Sequence, residues 1–379
     1  MKKQYKVGSL FAGVGGICLG FMNAQNPKAE YIMSWANEID EYACETYRTN
    51  FQHTLIEGDI NMVLHPENSI DVEYYSKLHE RILKEPIDIL NGGFPCQAFS
   101  IAGERKGFND ERGNLFMSFI DLIDQLNSKF KKKPRILFLE NVKNLKSHDN
   151  GRTYEVIRSK LEECGYIIKE MVLNTMLYSD LPQNRERIYI IGFLQKEDAD
   201  QFTMFDNIEM YQKKKKASDR VEDIRKIIDY NIDNPIFFYT KDKYPRYFVT
   251  EDEFPKSDFR SDIRINLTES ITEMYQFYQL RRGQYVRKNQ SDVCPTLTAN
   301  MGTGGHNVPL ILTPNGIRKL TPAETFKLQG FPVGKGYSLP VMYKGRPYSN
   351  SHLYKQAGNA VSVPVITLIA EELLKIIAE

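Results

Sequence analysis

The alternation of apolar and polar positions divides the chain into three stretches. Over roughly the first 195 residues, short runs rich in Ile, Val, Leu, Phe and Tyr alternate with longer amphipathic segments. The runs Tyr5–Leu10, Tyr31–Trp35, Ile87–Leu90, Arg135–Leu139, Tyr166–Leu173 and Arg187–Phe193 predict strands, and a further strand is expected to end near Asp59. Between them, Glu41–Phe51, Leu115–Leu126 and Thr153–Cys164 predict helices, the last closed by Gly165. This rhythm predicts a doubly wound, mostly parallel α/β sheet. From Gln195 to Pro314 the pattern dissolves into a stretch rich in Asp, Lys, Tyr, Asn and Arg. That stretch reads as a second, smaller domain of short strands and long loops. Regularity returns at Leu320, and a helix over Val365–Ala378 closes the chain.

Composition narrows the class. The 379 residues are 41% hydrophobic and 26% charged, as in an ordinary globular protein. No apolar run reaches the ~18 residues of a membrane span. Lys2-Lys3 lead directly into a strand rather than a signal peptide, so a cytoplasmic protein is expected. Cys18, Cys44, Cys96, Cys164 and Cys294 are scattered with no CxxC, which argues for a reducing compartment and against a disulfide framework or a zinc site. Fifty basic residues against 49 acidic neither indicate nor exclude a nucleic-acid partner, because that depends on local charge. Basic clusters do occur at Lys129–Arg135, Lys213–Lys216, Arg281-Arg282 and Arg287-Lys288.

Two groups of residues carry candidate chemistry. Ser9-Leu10-Phe11-Ala12-Gly13-Val14-Gly15-Gly16 follows the first predicted strand and opens a helix, and glycines at such a turn let backbone approach a ligand. Glu38 lies about twenty residues on, where a carboxylate can accept ribose hydroxyls. Asp59 is placed to accept an adenine amino proton. The glycine spacing differs from a pyrophosphate loop and fits an adenosine with a short amino-acid tail, such as S-adenosylmethionine. The second group starts at Asn91-Gly92-Gly93-Phe94-Pro95-Cys96-Gln97-Ala98-Phe99-Ser100, which turns from a buried strand at the sheet's carboxyl edge. Cys96 is there either a nucleophile or a packing residue. Glu140 follows Ile136-Leu137-Phe138-Leu139, so poor solvation should raise its pKa and let it donate a proton near neutrality; the alternative is a helix-capping acid. Arg185 and Arg187 precede an apolar strand at a spacing that points both the same way. One would contact a base carbonyl or phosphate while the other holds Glu140 or Cys96.

Taken in order, Leu10–Gly16, Glu38, Gly58–Ile60, Gly92–Ser100, Arg112–Phe116, Glu140–Val142, Gln183–Gly192, Arg318–Pro332 and Gln356–Pro364 resemble the cytosine-C5 DNA methyltransferases over nearly the whole chain outside the variable region. The resemblance implies a Rossmann-like class I S-adenosylmethionine-dependent methyltransferase sheet with a smaller, mainly β/loop target-recognition domain. It implies a catalytic domain over residues 1–194, a recognition domain over 195–315 and a return to the catalytic domain over 316–379, whose last helix completes the cofactor pocket. Cys96 is then the nucleophile, Glu140 the acid on the target base, and Arg187 a contact to the base carbonyl supported by Arg185. S-adenosylmethionine, released as S-adenosylhomocysteine, falls to Phe11, Gly13, Gly15, Gly16, Glu38, Ile39, Asp59, Ile60, Pro95, Leu115, Asn359 and Ala360, with no metal. Double-stranded DNA falls to Gln97, Ser100, Arg281, Arg282 and Thr296, the last in Cys294–Gly302, which matches the recognition-domain core. Some relatives have serine where this chain has Ala102, which removes one DNA contact. A monomer is expected, paired in function with a restriction endonuclease that acts on the same site without a stable complex. The family's transfer-RNA branch is the close alternative, and the long 195–314 insert favours DNA.

Overall fold

The computed structural model describes residues 2–94, 114–254, 264–281, 283–302 and 308–378. Eight strands form in its first half: β1 (Lys3–Leu10), β2 (Ala29–Glu38), β3 (Thr54–Glu57), β4 (Ile89–Gly92), β5 (Ile136–Val142), β6 (Ile167–Asn174), the two-residue β7 (Gln183–Asn184) and β8 (Glu186–Phe193). All but β7 build one seven-stranded sheet in the order β3-β2-β1-β4-β5-β8-β6. Strands β1 to β5 pair in parallel, and β8 runs antiparallel to both neighbours. The expected mostly parallel α/β sheet is therefore observed, with one reversed strand. Residues Ile89–Gly92 are buried throughout, as are the first six residues of β5. Apolar runs of this kind form strands covered on both faces.

The closing helix spans Val363–Ile377 and lies against β1 and β2. The Tyr31 hydroxyl donates to the Ala370 carbonyl at 2.9 Å, and that of Tyr5 donates to the Ile377 carbonyl. The same helix crosses the helix Gly16–Asn23 at Gly20, where a Cβ would stand 2.5 Å from Ile366 Cβ. Only glycine permits that approach.

The chain packs into two compact units. One comprises Met1–Asn174, Glu186–Gln212 and Val361–Glu379; the other comprises Thr175–Arg185 and Lys213–Ala360. These bounds differ from those expected at 195 and 316, for physical reasons visible at each end. After β8, the Phe202 ring packs 5.3 Å from Phe193, and Asp198 accepts from Arg135 at 2.7 and 2.6 Å, so the segment stays on the sheet. In the second unit, β9 (Tyr278–Arg281), β10 (Tyr285–Lys288), β12 (Leu310–Thr313) and β13 (Gly316–Lys319) form an antiparallel sheet in the order β10-β9-β12-β13, while β11 (Cys294–Pro295) pairs with β7. Its core contains Tyr239, Tyr247, Leu267, Tyr278, Leu280 and Leu310. Arg318 on β13 is fully buried and meets both oxygens of Glu324 at 2.8 and 2.7 Å, which ties the helix Pro322–Leu328 to this sheet.

Behind the first turn of the large sheet, the buried Tyr47 hydroxyl bridges Cys18 Sγ and His53 Nε2. Burial pushes the His53 pKa down to about 4, against an ordinary value near 6.5. The unfolded chain therefore binds a proton that the folded chain refuses between those values, so this residue costs stability progressively as pH falls from 6.5 to 4. His53→Gln is expected to flatten the decline of the urea midpoint across that window. Equal declines in both proteins would contradict the assignment.

Candidate active site

At the end of β1 the chain makes a tight loop. Phe11 and Gly13 both have φ of +56°, and Gly15, at +83°, precedes the helix that Gly16 begins. A Cβ on Gly15 would lie 2.2 Å from the Phe51 ring, whereas one on Gly13 would meet nothing within 4 Å among the described residues. Among the described residues the loop is thus packed at Gly15 and open at Gly13. Glu38, the last residue of β2, holds it in place. One carboxylate oxygen, Oε2, accepts from Gly13 N at 2.7 Å, and Oε1 accepts from the backbone N–H of Ile39 and Asp40, each at 2.9 Å. A carboxylate has about four lone-pair sites. One on Oε2 therefore has no partner among the described residues. Burial raises the Glu38 pKa above the ordinary glutamate value, and the three N–H donors act against it.

Ile39 is 66% exposed, while Phe11 and Leu115 are partly buried against the main core. Asp59 caps the helix Ile60–Leu64 by accepting from Asn61 N at 2.9 Å, and Ile60 is buried beneath it. Of the residues expected at the adenosine end, Phe11, Glu38 and Asp59 lie at or just after the ends of β1, β2 and β3, and Leu115 lies in the first turn of the helix Asn114–Phe130. Asn359 and Ala360 end a helix of the other unit, Asn350–Asn359, with Asn359 exposed.

The turn after β4 is fixed by asparagines. Ser9 Oγ donates to Asn91 Oδ1 at 2.6 Å, and Asn141 Nδ2 donates to the Phe94 carbonyl at 2.8 Å. Phe94 is buried against Phe116. The next residues in the chain, Pro95, Cys96, Gln97 and Ser100, lie outside the described residues, as do Ala102 and Arg282. Glu140 lies on β5 and is 7% exposed. Arg187 Nε stands 3.0 Å from Glu140 Oε1, and Arg187 Nη1 donates to the Glu186 carbonyl at 2.8 Å. A Cβ on Gly93 would lie 3.5 Å from Glu140 Oε2. The second oxygen of the pair thus faces the turn that leads toward Cys96.

The two arginines go to different partners. Their spacing suggests a shared direction, but the strand breaks at Arg185 and the chain changes unit there. Arg187 on β8 holds Glu140. Arg185 is buried and donates to backbone carbonyls: Leu297 at 2.9 Å, Gly358 at 3.3 Å, and Ala360. Its described bonds brace the second unit, rather than Arg187. In that unit Thr296 Oγ1 donates to the Asn184 carbonyl at 2.6 Å, so its proton is committed to the protein. Arg281 is exposed at the end of β9, beside the turn at Gly283.

A model of the family C-5 cytosine-specific DNA methylase matches residues 5–375. The chain belongs to that family. It is similar to the type II methyltransferase M.Bsp6I of Bacillus sp. (strain RFL6), with 45% identity over 98% of each chain. It is also similar to the type II methyltransferase M.HaeII of Haemophilus aegyptius, with 34% identity over 98% of this chain and 93% of the relative. Among solved structures, a mutant of the DNMT2 protein of Spodoptera frugiperda superposes with a TM-score of 0.60 at 18% identity, covering 98% of this chain and 99% of the other, which shows the fold. The chain is a DNA (cytosine-5-)-methyltransferase. No helix among the described residues is long and apolar enough to cross a membrane.

Sequence reasoning gave no role of their own to several residues that the structure singles out. Asn37 donates to the Ile56 and Gly58 carbonyls at 3.0 and 2.9 Å, fixing the turn before Asp59. Asn91 and Asn141 do the same for the turn after β4. Each is an asparagine at the end of an apolar strand, where a polar side chain must find a partner inside the protein. Arg246 lies 4.5 Å over the Tyr247 ring in the second unit, in a stack where Tyr239 and Tyr244 centroids are 4.4 Å apart. No periodicity marked it.

Proposed function

We propose that Cys96, Glu140 and Arg187 carry out the methylation of cytosine C5 in duplex DNA, with S-adenosylmethionine as the donor. The observation that carries this reading is the buried Glu140 carboxylate, held by Arg187 at 3.0 Å with its other oxygen facing the turn before Pro95-Cys96. The open side of Gly13, the remaining acceptor site on Glu38 and the apolar Phe11, Ile39 and Leu115 suit an adenosine with its ribose on the carboxylate. When bound there, S-adenosylmethionine supplies an electrophilic methyl group.

Cytosine C5 is too weak a nucleophile to take a methyl group unaided. The Cys96 thiolate adds to C6, which places electron density on C5 and divides one hard step into easier ones. Glu140, ionised against Arg187 before the base enters, takes up a proton and donates it to N3 of the base, drawing charge out of the ring as the thiolate adds. Arg187 keeps Glu140 in place, and the resemblance gives it the base carbonyl as a further contact. After C5 is alkylated, water takes the C5 proton, the electron pair of that C–H bond expels the Cys96 thiolate and restores the aromatic ring, and Glu140 recovers the N3 proton. The target base must leave the stack for this, at a cost of a few kcal/mol. Protein groups in the second unit would offset that cost, with Arg281, Arg282 and Arg246 as the DNA-facing set, the arginines suited to guanine. The setting we favour is a prokaryotic cytoplasm, with the protein a monomer that protects a short duplex sequence from a restriction endonuclease.

The Cys96→Ser protein is expected to lose methyl transfer to duplex DNA while still binding it. The wild type should form a covalent adduct with duplexes carrying 5-fluorocytosine, and no adduct with tRNA. Full activity in the variant, or labelling of tRNA alone, would refute this reading. A second expectation concerns pH. The raised Glu38 pKa means that its acceptor charge is complete well above that value and is lost as pH falls through it, at higher pH than for an ordinary glutamate. Affinity for S-adenosylhomocysteine, read by calorimetry, should fall with that protonation. In Glu38→Ala it should be about ten- to a hundredfold weaker, and flat across the same range. Equal pH profiles would contradict the role given to Glu38.

A further inference from the structure

The basic run Lys129–Arg135 is used by neither the glycine loop nor the Glu140 pair. It connects the helix Asn114–Phe130 to the start of β5, so it lies at the amino edge of the sheet, whereas Glu140 lies toward the carboxyl edge. A cavity of about 530 Å³ opens there, lined among others by Lys3, Asp88, Lys131, Lys132, Lys133 and Arg135. Two of the five cations are neutralised: Arg135 by Asp198 at 2.7 and 2.6 Å, and Lys132 by Asp88 at 2.8 Å. Lys3, Lys131 and Lys133 have no carboxylate within ion-pair distance among the described residues.

Helix ends account for part of this arrangement. Lys131 Nζ donates to the Ser128 carbonyl at 3.0 Å and Lys133 Nζ to that of Cys164 at 2.8 Å, each near a helix C-terminus. A helix end carries about half an elementary charge, so each lysine keeps much of its own. Among the described residues, Lys3 has the Tyr5 ring, 5.0 Å away, as its partner. The cavity therefore concentrates positive charge beside neutral donors, Asn127 and Gln195. Such a site suits phosphate oxygens.

We propose that this cavity binds backbone phosphates of a second DNA segment, separate from the one that presents the target cytosine. The seven residues of β5 put roughly 20 Å between the two edges. Duplex DNA has a persistence length of about 150 bp, so one short duplex does not bend around both. A second segment held at the amino edge lets the enzyme pass from one duplex to another without dissociating first.

The test uses the full-length protein and cytosine-free duplexes made of A·T pairs, one labelled and one unlabelled. Release of the labelled duplex from the wild type should accelerate several-fold as unlabelled duplex is added, and added salt should suppress that acceleration. In Lys3→Gln/Lys131→Asn the rate should not respond to competitor; asparagine suits the left-handed backbone at position 131, where φ is +55°. Lys3→Arg/Lys131→Arg should restore the response. Methyl transfer on a short single-site duplex should be equal in all three. A competitor response identical in wild type and double variant would overturn the proposal. So would a site that takes inorganic tripolyphosphate, seen by phosphorus NMR, with no competitor response in the wild type.

Discussion

An ion pair between Glu140 and Arg187 depends on the one reversed strand of the sheet. In a parallel neighbour, the first residues of the strand lie at the amino edge, roughly 20 Å from the end of β5. Because β8 runs antiparallel to β5, Arg187 near its start is registered against Val142 near the end of β5. A guanidinium thereby reaches a carboxylate at the edge where parallel α/β sheets place their chemistry. Taking two ions out of water costs several kcal/mol each, and close pairing is what offsets it. The arrangement is therefore a weak source of stability. It serves to present an acid in one fixed orientation.

The rest of the large unit is organised around the same edge. The order β3-β2-β1-β4-β5 reverses direction between β1 and β4, and open α/β sheets bind ligands at such a reversal. The glycine loop leaves β1 on one side of it and the turn toward Cys96 leaves β4 on the other. Ser9 and Asn91 bond across the two strands just beneath. Glu38 fastens the loop from β2 through the Gly13 N–H, is itself held by the N–H groups of Ile39 and Asp40, and keeps one acceptor site in hand. A single side chain thus shapes the loop and remains available to a ligand.

Much of this was legible in the sequence because buried strands of a parallel sheet read as apolar runs, and the residue that ends such a run lies at the functional edge. Glu38, Asp59 and Glu140 were singled out on that logic. The short β3 was only inferred, since Thr54 and Glu57 leave it little apolar signal. The roles of Arg185 and Arg187 could not be separated by spacing, because the strand break between them has no marker in residue type. The second unit was opaque for another reason. Its core draws on tyrosines at 239, 247 and 278 and on leucines far apart in the chain, so no period connects them. Its boundaries follow from Phe202 packing on Phe193 and from the buried Arg318–Glu324 pair, both contacts between residues with no local pattern.

The most direct measurement is a double-mutant cycle on Glu140 and Arg187, read as the single-turnover rate of methyl transfer to duplex DNA. A proton donor in the transition state contributes roughly 10²–10⁴-fold, so Glu140→Gln should slow the step by that order. Arg187→Gln should slow it comparably, and the double variant should be little worse than the slower single one, because the two side chains act as one unit. Losses that multiply would mean that the two residues act independently, and would contradict the account.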